Sequence, residues 1–255
     1  MAEVSPHVLN AGRPGSPQVV FAHGVEDHWE SWRELANVLD STWRTVALEM
    51  PWRHGNDYLW RHGGTAGQWL ARGLSQVDGP VDLLVGHSLG ANAVLELLAT
   101  GDTRVAAAAV VCPPYQRSPD DMTWEFLQAM VPRLHGEFRE LVRIRSRDRR
   151  RPVEPRILET MAAKVIERIS PISFLAVLEH YVAAAALDLE AIAVPTFVVS
   201  VGNDPGLSVE GVKDLVSRIP GATTCHQDEL GHFCHVHGVN TLAAELKQFI
   251  RTNLP

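Results

Sequence analysis

Between Val81 and Ala99 the chain runs from a short apolar segment, Val81-Asp-Leu-Leu-Val85, through Gly86-His87-Ser88-Leu89-Gly90, into a second apolar stretch. No other feature constrains the fold as tightly. The first segment has the near-continuous apolar character of a strand buried on both faces. The second is long enough for a helix from Leu89 to Ala99, and Gly101 offers a C-terminal stop. A strand that turns into a helix within so few residues needs a tight, strained junction. Side chains at positions 86 and 90 would strike the neighbouring strand and helix, so small residues are needed there. Ser88 then projects its hydroxyl from the sheet edge, at the positive end of the following helix.

The same alternation recurs along the chain. Apolar runs at Val19–Ala22, Thr45–Leu48, Val105–Cys112, Thr196–Val201 and Thr223–Cys225 read as further strands. Between them lie helical patterns. Trp32, Leu35 and Leu39 share a face, and Thr65-Ala-Gly-Gln68 is a capping box opening a helix with Trp69 and Leu70. Val212, Leu215, Val216 and Ile219 form another stripe, as do Val239, Leu242, Leu246, Phe249 and Ile250. This predicts an α/β fold, a mostly parallel sheet with helices on both faces.

One region breaks the pattern. From Tyr115 to Ile192 there are only helical stripes: Trp124, Leu127, Val131 and Leu134; Ile157, Met161, Val165 and Ile169; Phe174, Val177, Leu178 and Tyr181. The expected organisation is a core of residues 1–114 and 193–255 with a helical cap at 115–192, over the sheet edge where ligands of open α/β sheets bind. The last part of that insertion reads equally as a crossover helix.

Composition narrows the function. With 23 Lys and Arg against 30 Asp and Glu, the net charge of −7 argues against a nucleic-acid binder. Three cysteines, Cys112, Cys225 and Cys234, cannot form a fully paired framework and suit a reducing compartment. Neither a signal peptide nor a membrane span is read, so a cytoplasmic protein without a membrane partner is expected.

With the Gly86–Gly90 junction in its strand–turn–helix setting, the chain resembles the α/β-hydrolase superfamily, in its serine-nucleophile, lid-bearing branch, over nearly its whole length. The resemblance implies the order nucleophile, acid, histidine. Thr196-Phe-Val-Val-Ser-Val-Gly-Asn-Asp204 is similar to the strand and loop that deliver the acid, and Glu229-Leu-Gly-His232-Phe to the segment that delivers the base. It therefore implies Ser88 as nucleophile, His232 as general base then acid, and Asp204 as the group that orients His232. Cys112-Pro-Pro-Tyr115 offers no carboxylate one strand earlier. Asp120 and Asp121 lie further on, and Asp228 and Glu229 sit close to His232 in sequence. Phe21-Ala-His23-Gly24-Val25 resembles the oxyanion loop, implying backbone N–H donors at Val25 and Leu89; each such donor is worth on the order of 3 kcal/mol in the transition state. His23 is expected to brace that loop.

Expected substrate contacts are His23, Gly24 and His87, with Trp29, Trp52 and Trp124 lining a pocket for a bulky apolar or aromatic acyl group. The twelve histidines include His232-Phe-Cys234-His235-Val-His237, but this matches no zinc-ligand spacing, so neither metal nor cofactor is expected. An arginine run, Arg143 to Arg151, gives residues 131–160 nine Arg against five acids. It reads as a solvated helix end or mobile loop, or as a gate for an anionic substrate such as a carrier-bound or coenzyme A thioester.

The expected activity is hydrolysis of a small-molecule ester or thioester through an acyl-enzyme on Ser88. Acyl transfer, cyclisation, carbon–carbon bond hydrolysis and a slow-turnover ligand receptor are the alternatives the same residues allow.

Overall fold

A computed structural model describes residues 3–147, 153–168, 171–202, 204 and 206–254. Asn203, Ile169 of the second cap stripe and Arg149 to Arg151 of the arginine run lie outside the described residues. The strands are β1 (Ser5–Asn10), β2 (Gln18–Ala22), β3 (Arg44–Glu49), β4 (Val81–His87), β5 (Val105–Val111), β6 (Thr196–Val201) and β7 (Thr223–Gln227). They form one sheet in the order β1-β3-β2-β4-β5-β6-β7. Only β1 runs antiparallel, against β3; the remaining pairs are parallel.

Strand residues alternate between two buried layers, because successive side chains point to opposite faces. Val20, Leu84, Ala108 and Val198 enter one layer; Val19, Phe21, Leu83, Val85, Ala107 and Val199 enter the other. That is why these runs read as continuously apolar. Helices α1 (Arg33–Val38), α2 (Ala66–Leu74) and α3 (Leu89–Leu98) come from the first half of the chain. The capping box of α2 forms, with Gln68 N–H donating to Thr65 Oγ1 and Thr65 N–H to Gln68 Oε1. Gly101 takes φ +78° just beyond α3.

Between β5 and β6 lie α4 (Trp124–Arg147), α5 (Pro155–Arg168) and α6 (Pro171–Ala185). Helices α4 and α5 pack on each other, whereas α6 packs on α3 and adds Ala176 and Ala184 to the core layer. The second half ends with α7 (Val209–Arg218), the short α8 (Cys234–His237) and α9 (Val239–Asn253). Among the described residues no helix is long and apolar enough to cross a membrane.

The sequence reading missed β1. Its side chains are half-exposed or exposed throughout, so no apolar pattern marks it.

Candidate active site

Four loops that leave the C-terminal ends of parallel strands converge on one edge of the sheet. Ser88 follows β4, and His23-Gly24-Val25 follows β2. Asp204 follows β6, and His232 lies beyond β7. This is the edge at which open α/β sheets bind ligands.

Ser88 sits at φ 52°, ψ −121°, immediately before α3. A non-glycine residue at positive φ stores strain that its surroundings must over-determine. Two glycines supply the space. A Cβ on Gly86 would lie 2.4 Å from the Gly90 carbonyl oxygen, and one on Gly90 would lie 2.3 Å from that of Ala22. Both clashes are with backbone, which cannot swing aside. Gly90→Ala is therefore expected to cost roughly 3 kcal/mol and lower Tm by about 5–10 °C. Thermal denaturation checks this; an unchanged Tm would mean the elbow relaxes freely. Gly24 lets the β2 loop approach, since its Cβ would meet the Ser88 Cβ at 3.0 Å.

His232 and Asp204 form a buried pair, with Nδ1 donating to Oδ2 across 3.0 Å. The second carboxylate oxygen of Asp204 accepts the Gly206 N–H at 2.6 Å. Burial of His232 disfavours its charged form. The opposing charge and hydrogen bond of Asp204, joined by Glu137 and Asp27, outweigh that and raise its pKa. Among the described residues no hydrogen bond joins Ser88 Oγ to His232; both are walls of one cavity.

His87 also borders this cavity. Its Nε2–H donates to the His232 carbonyl at 2.8 Å, and burial, with His235 and His232 nearby, pushes its pKa well down. It is a neutral strut beneath His232. His23 has no exposure and is spent on the loop. Its Nδ1–H donates to the Gly24 carbonyl at 2.8 Å, and its Nε2 accepts the Met50 N–H at 2.9 Å. It braces the turn and does not border the cavity, unlike Gly24 and Val25.

The three tryptophans expected in the pocket lie elsewhere. Trp52 is fully buried and donates its indole N–H to the His23 carbonyl at 2.9 Å, so it too braces the loop. Trp29 stacks flat on His7, with ring centroids 4.1 Å apart. Trp124 is 67% exposed at the start of α4. The apolar lining comes from Leu134, Phe138, Phe174, Val177, Tyr181 and Phe233. Leu134, Phe174, Val177 and Tyr181 were visible as helical stripes, but a stripe does not say which inward residue meets a ligand. Glu26 and Glu137, which border the same cavity, gave no signal in the sequence.

Two groups of metal-ligand side chains come together among the described residues: Asp27 with His87 and His235, and Cys112 with Asp204 and His232. In the first, the imidazoles of His87 and His235 lie one over the other at 4.0 Å, tilted by 38°. One nitrogen of each ring is already engaged, His235 Nε2 with the Asp27 carboxylate and His87 Nε2 with the His232 carbonyl. The second contains the hydrogen-bonded His232–Asp204 pair.

Comparison with known proteins agrees with this fold. A model of the alpha/beta hydrolase family matches residues 19–245. Among solved structures, an N-acyl homoserine lactone degrading enzyme has 21% identity and a TM-score of 0.67, covering 96% of both chains. An esterase from Exiguobacterium antarcticum has 14% identity and a TM-score of 0.65, covering 97% of this chain and 95% of its own. The thioesterase domain from the curacin biosynthetic pathway has 17% identity and a TM-score of 0.62, covering 93% of each. No curated protein matches the sequence. With its family match running from β2 into α9, the chain belongs to the alpha/beta hydrolase family.

Proposed function

We propose that the protein is a serine hydrolase that cleaves a small-molecule carboxylic ester or thioester through an acyl-enzyme on Ser88. The observation that carries this reading is the buried His232–Asp204 pair, whose imidazole borders the same cavity as the strained Ser88. As the acyl group binds, Ser88 Oγ closes on His232 Nε2, a contact that tightens only in the substrate complex. The serine oxygen attacks the acyl carbon, and its proton passes to His232. The backbone N–H groups of Val25 and Leu89 hold the oxyanion. His232 then protonates the departing alcohol or thiol, and water, deprotonated by the same imidazole, releases the acid.

Helix α4, with α5 packed on it, acts as a cap over this site, and α6 supplies the rest of the helical wall. The phenyl rings and aliphatic side chains along the cavity suit an apolar acyl chain. The solved relatives named for lactone degradation, ester cleavage and a thioesterase domain define the panel that tests the proposal: esters, thioesters and lactones of graded acyl length. Turnover of at least one class, with a single fluorophosphonate adduct on Ser88, is the expected result. A protein that turns over none and takes no adduct is not a serine hydrolase but a binding protein on the same fold.

The acid limb of the activity follows from His232. The imidazole must be neutral to accept the serine proton, and its pKa is raised. So kcat/KM is expected to climb with pH through a limb above the ordinary histidine range and to level off beyond it. A profile already flat below that range would contradict the assignment of the base.

A further inference from the structure

The cap carries an acidic residue to the back of the proposed base. Glu137, on α4, accepts the His232 backbone N–H on Oε2 at 3.2 Å, across 95 residues of sequence. The fit is close: a Cβ on Gly231 would meet the same carboxylate oxygen at 3.3 Å. Glu137 also borders the cavity that holds Ser88 and a second cavity bordered by Asp204. It is half-buried, and burial, the largest influence, raises the pKa of its carboxyl. A carboxylate is kept in such surroundings at a cost unless its charge is used.

We propose that Glu137 is a positioning residue for His232: its carboxylate fixes the backbone of the base's loop, and its charge favours the imidazolium that forms during turnover. The proposal rests on the serine-hydrolase reading above and extends it. The loop after β6 supplies one negative charge to His232 through Asp204. Helix α4 supplies Glu137, with Glu140 one turn further on, and the loop after β2 supplies Asp27. Against them stand the neutral His87 of β4, His235 of α8 and the buried thiols of Cys112 and Cys234. Asp204 lies within the core, whereas Glu137 rides on the insertion between β5 and β6. The strength of the base thus depends on where α4 sits. A cap displaced from the core removes one of the charges that hold the imidazolium.

The test needs no natural substrate. The rate at which a fluorophosphonate labels Ser88 is measured across pH for the wild type, Glu137→Gln, Glu137→Ala and Glu125→Gln, the last at the exposed start of α4. Removing the Glu137 charge destabilises the imidazolium, so the acid limb should move to lower pH in both Glu137 variants. The alanine variant, which also loses the acceptor for the His232 N–H, should show a lower plateau than the glutamine variant, by about fivefold. Glu125→Gln should leave the limb where it is. A limb unmoved in both Glu137 variants overturns the proposal, and so does an equal shift in Glu125→Gln, which would reflect net charge alone. Wild-type protein that is not labelled on Ser88 overturns the underlying hydrolase reading instead. The two failures are therefore separable.

Discussion

Ser88→Ala is expected to lower kcat by on the order of 10⁴–10⁶-fold while leaving the fold in place. In the proposed mechanism the covalent route is lost outright, because alanine carries no oxygen with which to form the acyl-enzyme. What remains is the oxyanion donors and the binding of substrate, which together still exceed water. Stability should change little. The strained backbone at φ 52° is as available to alanine as to serine. The hydrogen bond that anchors the position, Ser88 N–H to the Val111 carbonyl at 2.9 Å, belongs to the main chain. Steady-state turnover, intact mass after fluorophosphonate treatment and a melting curve check the three parts together. Residual turnover within tenfold of wild type would show that the nucleophile lies elsewhere.

Asp204→Asn should be nearly as damaging, by on the order of 10³–10⁴-fold in kcat/KM, for a reason written in the local hydrogen bonds. The Gly206 N–H donates to Asp204 Oδ1 at 2.6 Å, so an asparagine must keep its carbonyl oxygen on that side. Its amide then faces His232 Nδ1 and donates to it. The imidazole is forced into the tautomer with its proton on Nε2, the atom that must accept the serine proton. Size and packing are preserved, and only the proton is misplaced. Labelling of Ser88 should slow in parallel with turnover. A variant that retains wild-type labelling would mean that another group orients the imidazole.

The sheet and its order of helices were legible because burial on both faces leaves an unmistakable mark, as in Val19–Ala22 and Val105–Val111. The elbow was legible because two glycines are required by backbone contacts of 2.4 and 2.3 Å, a demand no other residue meets. The cavity wall was not. Position in sequence placed Trp29 and Trp52 near the right loops, but not on the right side. The indole of Trp52 turns inward because its N–H needs the His23 carbonyl, and Trp29 finds a flat partner in His7. Glu137 was hidden for a different reason. In an amphipathic helix a lone glutamate reads as part of the solvated face, and its partner is a main-chain N–H that no pattern announces. The strand β1 escaped because an antiparallel edge with half-exposed side chains leaves no apolar signature.

The proposed reactive groups are fastened with unequal firmness. Ser88 hangs from β4, which has a partner on either side and is walled in by both layers. His232 hangs from β7, the outermost rib, whose residues are exposed or half-exposed and which borders only β6. Fraying begins at such margins, while the middle of a sheet opens only with the whole molecule. The working lifetime of the catalyst is then governed by its rim, and reinforcement placed there would prolong it more than any improvement at the centre.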